Sequence, residues 1–154
     1  MTDVRTAAEY AAAIAGSRQR LIEFVERCPD DDWKASPLDG DPRPVGVVVD
    51  HVAHAHEYIA GWLRQILDGQ AAVVTAEIVD GLNAGHAGEA AKLSRAEVID
   101  HLSRSGDVLI ALMAGLEAGQ LDADDGRIRL FAQISIRHAD DHRAEIEAAL
   151  GRTG

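Results

Sequence analysis

The sequence has 154 residues, of which 47% are hydrophobic and 4% aromatic, and its net charge is −11. This length and apolar content exclude a disordered chain and allow one hydrophobic core, so we expect a single domain over residues 1–154. The acidic balance, without a cluster of lysine or arginine, argues against nucleic acid as a partner. One cysteine, Cys28, excludes an internal disulfide and is typical of a reducing compartment.

The charges of the first residues and the lengths of the apolar stretches bear on the location of the protein. The first residues, "MTDVRTAAEY", carry charges before any apolar run, unlike a secretory leader. No stretch reaches the ~20 apolar residues that a membrane-spanning helix needs. We therefore expect a cytoplasmic protein with no membrane partner.

The first 44 residues predict one long helix and a loop. Apolar residues recur at helical spacing from Ala7 to Cys28, which predicts the first helix. The stretch "PDDDWKASPLDGDPRP" follows, and its prolines and aspartates predict a non-helical connector. Trp33 within it is expected to pin the connector to the core or, less favoured, to line a pocket.

The rest of the chain predicts three more long helices. Pro44 can open a helix whose spacing continues to Leu67. The stretch "AAVVTAEIVDGLNAGHAGEAAKL" has a β-branched start and scattered glycines, so we expect a short helix and irregular turns. Ser94 and Glu97 form a capping box for the third long helix, and the fourth begins near Arg127. The chain is thus predicted to be an all-α four-helix bundle, with a short extra helix between the second and third long helices.

Histidines occupy unexpected positions on two of these helices. At 100° per residue, His138 and His142 lie on one face of the last helix, together with Phe131. The opposite face is expected to meet water and carries Gln133, Asp140, Arg143 and Glu147. On the second helix, His51 lies in a stripe predicted to face inward, which contains Val48, Ala55, Tyr58, Trp62 and Ile66.

A shared metal ion would explain three inward imidazoles. Burying each without a partner costs about 1–3 kcal/mol. An i,i+4 pair sets two ligands about 6 Å apart, which one Zn²⁺ or Ni²⁺ can bridge with bonds of ~2.1 Å. The predicted ligands are therefore His51, His138 and His142. The ordinary alternative for such a pair is a solvated or hydrogen-bonded pair of side chains.

Two polar residues beside the last-helix pair, and the four other histidines, are not predicted to be metal ligands. Ser135 and Glu145 flank the pair on the last helix and are expected to orient the rings or bind a water molecule. His54 and His56 are expected to face solvent or a dimer edge. His86 can approach the site only if its segment folds over it, and His101 is expected to make an ordinary hydrogen bond.

Two stretches, "VVVDHVAHAHEY" and "IRHADDHRAEIEAAL", resemble the second-helix and last-helix signatures of the DinB-like superfamily. This superfamily includes the YfiT-type proteins and the N-terminal domain of mycothiol-dependent maleylpyruvate isomerase. The intervening "IVDGLNAGHAGEAAKLSRAEVIDHL" is also similar to the stretch that these proteins carry before their third long helix. The resemblance covers essentially the whole chain.

The resemblance implies an up-down-down-up bundle, often a homodimer, in which three histidines hold a divalent metal, with Zn²⁺ or Ni²⁺ favoured. The matching positions are His51, His138 and His142. One departure concerns a tryptophan that many members carry just before the second helix. Here that place reads "DPRPVGVV", and Trp33 lies earlier in the chain.

Three functions remain open at this point. Characterised relatives use low-molecular-weight thiols such as mycothiol or bacillithiol. The resemblance therefore implies a metal-dependent thiol S-transferase or thiol-dependent isomerase acting on small electrophiles, with the Trp33 loop and the stretch around Asn83 shaping the substrate pocket. The alternatives are a metal-dependent hydrolase of small molecules, and a non-catalytic, metal-stabilised dimeric bundle that binds a ligand or a partner.

Overall fold

The computed structural model describes residues 5–151, which form seven helices and, within that range, no β-strand. None of these helices has the length and apolar character needed to cross a membrane. The helices are α1 (Ala7–Arg27), α2 (Asp30–Lys34), α3 (Val45–Leu67), α4 (Ala76–Ala90), α5 (Arg95–Ala114), α6 (Ala118–Leu121) and α7 (Ala123–Ala149).

The four long helices α1, α3, α5 and α7 form the predicted all-α bundle. Helices α1 and α3 each pack against both α5 and α7, so they stand at opposite corners. His51 near the start of α3 meets His138, whereas Trp62 further along α3 meets Phe131 earlier on α7. Helices α3 and α7 are therefore antiparallel.

Side-chain contacts fix the other directions in the same way. They make α1 parallel to α7, α3 parallel to α5, and α1 antiparallel to α5, which is the up-down-down-up order that the resemblance implied. The contacts are Tyr10–Arg129 and Arg20–Asp140 between α1 and α7, Asp50–His101 and His56–Ser105 between α3 and α5, and Val25–Arg95 and Arg18–Asp107 between α1 and α5.

Helix α4 follows from this topology. Because α3 and α5 are parallel neighbours, the chain must return along the bundle between Leu67 and Arg95. The 15 residues of α4 cover about 22 Å of that path at 1.5 Å per residue. The extra helix is therefore longer than its glycines suggested, and Thr75 caps it by accepting a hydrogen bond from the Ile78 amide.

The buried face of α3 differs from the predicted one. Its buried face follows a 3/4 spacing through Val49, Val52, His56, Ile59 and Leu63. The predicted stripe around His51 lies beside this face and is mostly half-buried. Periodicity misplaced the face because α3 packs against both α5 and α7, so that apolar residues occupy more than one side.

The connector between α1 and α3 contains a short helix, so the non-helical prediction is wrong there. Asp30, Asp31 and Asp32 occupy the first turn of α2, where carboxylates interact favourably with the free amides. The Trp33 ring packs so closely on Gly46 that a Cβ atom there would lie 2.8 Å from it. Trp33 thus pins the connector to α3, the favoured one of its two predicted roles.

Helix α7 begins as predicted. Asp124 and Asp125 adopt left-handed φ angles of 53° and 55°, and Gly126 follows at 81°. Aspartate and glycine tolerate this region better than other residues do. Regular helical geometry therefore starts at Arg127.

Candidate metal centre

Three imidazoles from two helices converge at the α3–α7 contact. His51 comes from α3, and His138 and His142 come from consecutive turns of α7. The Nε2 atom of His138 lies 3.0 Å from that of His51 and 2.9 Å from that of His142. One nitrogen from each ring lies within 4.8 Å of the other two, and no other such group of His, Cys, Asp or Glu occurs in residues 5–151.

Hydrogen bonding between the rings does not account for this geometry. The Nε2 atom of His138 carries either one proton or one lone pair, so it can form one good hydrogen bond and not two. Ligands on a tetrahedral ion with bonds of ~2.1 Å lie about 3.4 Å apart, close to the observed separations. The donor set therefore fits a divalent metal that accepts imidazole nitrogen.

The electrostatic surroundings keep these rings neutral. Burial lowers the pKa of His51 to about 4 and that of His138 to about 3, and the neighbouring His142 adds to both shifts. Burial also lowers the pKa of His142. Neutral imidazoles offer their lone pairs without having to release a proton first.

The end of the connector reaches this cluster. The guanidinium of Arg43 contributes to the lowered pKa of all three histidines. It is held by Asp41, with Nε 3.0 Å from Oδ1 and Nη2 2.8 Å from Oδ2. Sequence analysis selected Trp33 as the connector residue near the site, whereas Arg43 is the one that lies there.

The residues expected to orient the imidazole rings do not hydrogen-bond them directly. Ser135 donates its hydroxyl proton to the Phe131 carbonyl at 2.8 Å and so does not donate it to the rings; its other predicted role, binding a water molecule, stays a prediction. Glu145 Oε2 lies 3.8 Å from His142 Nδ1, beyond direct hydrogen-bond length. His51 Nδ1 is buried without a hydrogen-bond partner.

The histidines flank the core face of α7 and do not lie within it. The buried residues of α7 are Ile128, Phe131, Ala132, Ser135, Ala139 and Ile146, while His138 and His142 are half-buried beside them. The face predicted to meet water is also partly covered, because Asp140 pairs with Arg20 of α1 at 2.8 Å.

A cavity of about 370 Å³ adjoins His51 and His138. Its walls are mostly apolar and aromatic. Asn83 lines it, as predicted, whereas Trp33 does not and instead lines a separate cavity together with Gly46 and Arg95. Two buried polar atoms, Tyr58 Oη and Asn83 Oδ1, lack a hydrogen-bond partner. The other lining residues are Ala55, Ile59, Trp62, Val74, Val79, Phe131 and Ile134.

The remaining histidines do not join this cluster, although His54, His56 and His86 are near enough to affect its pKa values. His56 is 1% exposed and sits 3.4 Å from the Ser105 hydroxyl, so the prediction that it faces solvent or a dimer edge is wrong. The His54 and His86 rings stack with centroids 4.0 Å apart on another side of α3. His101 makes the hydrogen bond expected of it, to Asp50 at 2.7 Å.

Sequence analysis missed Asp50, which is fully buried on α3. A signal was present, since a lone acid interrupts the apolar run "VGVVVDHV", and carboxylates are seldom fully buried without a partner. Its partner His101 lies on α5, far along the chain, and spacing within one helix cannot reveal such a pair.

The family model for the DinB superfamily matches residues 13–146. No curated protein and no solved structure matches the chain significantly. The matched range contains His51, His138 and His142, together with α3 and α5 in full. Because the match spans most of the sequence, this chain belongs to the DinB superfamily.

Proposed function

We propose that the protein is a divalent-metal-dependent enzyme that activates a low-molecular-weight thiol and acts with it on a small electrophile, as an S-transferase or a thiol-dependent isomerase. The observation that carries the proposal is the convergence of three neutral imidazoles beside a cavity. His51, His138 and His142 would hold the ion. Three protein ligands are typical of a catalytic site, since a structural site is usually closed by four.

When bound, the ion would supply a Lewis-acidic position at which a thiol loses its proton near neutral pH. Arg43 lies near the three rings as an ion pair with Asp41, so the ion itself would be the main positive charge that stabilises a thiolate there. Zn²⁺ and Ni²⁺ both suit imidazole ligands, so the donor set alone does not choose between them.

The cavity residues indicate what kind of second substrate would bind. Trp62 and Phe131 stack with centroids 5.7 Å apart and form a flat apolar wall. Tyr58 Oη and Asn83 Oδ1 are buried polar atoms available to hydrogen-bond one polar group of a ligand. A small, largely apolar electrophile with one polar substituent fits these walls.

The choice of a thiol over water rests on the resemblance. Within residues 5–151 the cavity is lined by no carboxylate and no lysine, so its only candidate bases are histidines. A bound metal would ionise water as it ionises a thiol, so the metal-dependent hydrolase is the alternative.

The oligomeric state, the substrate, the location and the binding partners are part of the same proposal. We expect a homodimer, a small-molecule substrate, a cytoplasmic location, and no binding to nucleic acid or to membranes. The net charge of −11 supports the exclusion of nucleic acid.

The proposal is tested by measuring thiol consumption. Untagged protein, stripped of metal and then reloaded with Zn²⁺ or Ni²⁺, is incubated with mycothiol, bacillithiol or glutathione and a panel of small electrophiles. We expect conjugation or isomerisation that requires the metal and is lost in His138→Ala but retained in Arg137→Ala, an exposed neighbour on α7. Metal binding without turnover of any thiol would instead favour the non-catalytic bundle.

A further inference from the structure

A second cavity, of about 680 Å³, lies between α3, α4 and α5 and does not include the three converging histidines. We refer to it as the α3–α4–α5 cavity. Its lining is strongly acidic, because five carboxylates face only two cations, Arg104 and the protonated His101. The net charge of the lining is therefore −3. The carboxylates are Asp50, Glu57, Glu89, Glu97 and Asp100.

Asp50 is the deepest of these carboxylates, with a side chain that is 0% exposed. Its Oδ1 atom accepts a hydrogen bond from His101 Nδ1 at 2.7 Å, and His101 Nε2 donates to Glu57. The second oxygen, Asp50 Oδ2, is buried and has no hydrogen-bond partner. A buried carboxylate oxygen without a donor is costly, so this atom calls for a ligand that donates to it.

His86 presents a second unpaired atom at the same place. Its Nε2 atom lies 3.0 Å from Asp50 Oδ2, within ion-pair distance, but neither atom makes a well-aligned hydrogen bond. The stacked ring of His54 packs against His86, and burial lowers the pKa of His86, which keeps its ring neutral. A side-chain oxygen and a ring nitrogen thus lie side by side, and the hydrogen-bonding capacity of both is incompletely used.

We propose that the α3–α4–α5 cavity binds the primary ammonium group of a small organic amine, which donates hydrogen bonds to Asp50 Oδ2 and His86 Nε2. An ammonium group carries three donors, enough to pair both atoms and one more acceptor. The other carboxylates favour a ligand with a second positive charge, such as a linear diamine.

A metal ion fits this cavity less well. No third ligand joins Asp50 and His86, because in residues 5–151 only His51, His138 and His142 bring three such atoms within 4.8 Å. The stacked arrangement of His54 and His86 directs their rings past each other and not toward one point. A cavity of about 680 Å³ also exceeds the space of one ion and matches that of a small organic molecule.

Isothermal titration of the full chain with 1,4-diaminobutane tests the proposal, with 1,4-butanediol as its neutral isostere. We expect saturable binding of the diamine that weakens with salt, and no binding of the diol. His86→Phe keeps an aromatic ring against His54 but removes the nitrogen, so it should weaken diamine binding at least 10-fold. Glu77→Gln, exposed on the same helix and not lining the cavity, should bind as the wild type does.

Three results would overturn the proposal. The first is equal binding of the diamine and the diol. The second is binding of the diamine to His86→Phe as tightly as to the wild type. The third is stoichiometric Zn²⁺ binding to a His138→Ala chain that is lost when His86→Phe is added to the same chain. Asp50→Asn should also lose the diamine, but it removes a buried charge and can unfold the chain, so the His86 variant decides. Diamine binding that persists in His138→Ala supports a site independent of the metal centre.

Discussion

Different sides of α3 carry histidines in contrasting chemical surroundings. Toward α7, His51 meets the rings of His138 and His142, with Arg43 nearby, and burial lowers the pKa of His138 to about 3. Toward α5, His101 lies between Asp50 and Glu57, and these hydrogen bonds raise its pKa to about 9. The same side chain is therefore a neutral electron-pair donor in one cluster, where burial dominates, and a cation in the other, where hydrogen bonds to two carboxylates outweigh burial.

The first prediction removes the central imidazole of the α7-facing cluster. His138 contacts both other rings, so His138→Ala should reduce bound metal from about one ion per chain to less than about one in ten chains. Elemental analysis of untagged protein measures this. Arg137→Ala is the control, and full metal content in His138→Ala would show that the ion is held elsewhere.

The second prediction removes the cation of the other cluster. His101→Ala leaves the buried Asp50 carboxylate without its partner, which should lower the free energy of unfolding by about 3–5 kcal/mol. Urea denaturation followed by circular dichroism measures the loss. Arg104→Ala, exposed on the same helix, should change stability by no more than about 0.5 kcal/mol. Equal effects of the two variants would contradict the dependence of Asp50 on His101.

The third prediction uses pH to separate the clusters. The raised pKa of His101 gives stability that is complete below about pH 6.5 and lost as the pH rises through 9. The lowered pKa values of His51 and His138 give the opposite dependence, with stability complete above about pH 6.5 and lost as the pH falls toward 4 and then 3. Metal-free protein should therefore be most stable near pH 6.5.

Denaturation curves at a series of pH values measure this profile. His101→Gln should flatten its alkaline side, by on the order of 2 kcal/mol, while leaving the acidic side unchanged. This figure is smaller than the full pKa shift implies, because the half-exposed Glu57 is partly screened by water. An alkaline side that survives in His101→Gln would assign the loss to another group.

The fourth prediction concerns the outer partner of the metal centre. Glu145 lies 3.8 Å from His142 Nδ1, near enough to favour the ring orientation but too far to bond it directly. Glu145→Gln should therefore weaken metal binding by roughly 10-fold, the low end of the effects seen for residues that orient metal ligands. Competition with a chelator measures this, with Glu26→Gln on α1 as the control. A loss of 100-fold or more would indicate that Glu145 is itself a ligand.

Much of the fold could be predicted because each long helix carries its own signals. The first helix buries Tyr10, Ile14, Leu21, Phe24 and Val25, which follow the predicted spacing. The capping residues Ser94 and Glu97 placed the start of α5 correctly. The convergence of His51 with His138 and His142 was also anticipated, because an i,i+4 pair and a partner on an adjacent antiparallel helix need only helical geometry.

What could not be predicted depends on contacts between distant parts of the chain. His56 was misplaced because two sides of α3 are covered, and periodicity alone cannot rank them. The buried pair of Asp50 with His101, and the approach of Arg43 to the histidines, join segments whose relative positions arise only from packing. Whether the converging histidines bind metal remains a prediction.

Helix α4 forms a wall of both cavities, with Asn83 in one and His86 in the other. Only Ala90 among its residues is fully buried, so little apolar burial holds this helix in place. A movement of α4 would therefore widen both cavities at once, and a ligand bound in either cavity would restrain the same helix. Amide hydrogen exchange along residues 76–90 should accordingly be faster than in α1, and should slow when a ligand occupies either cavity.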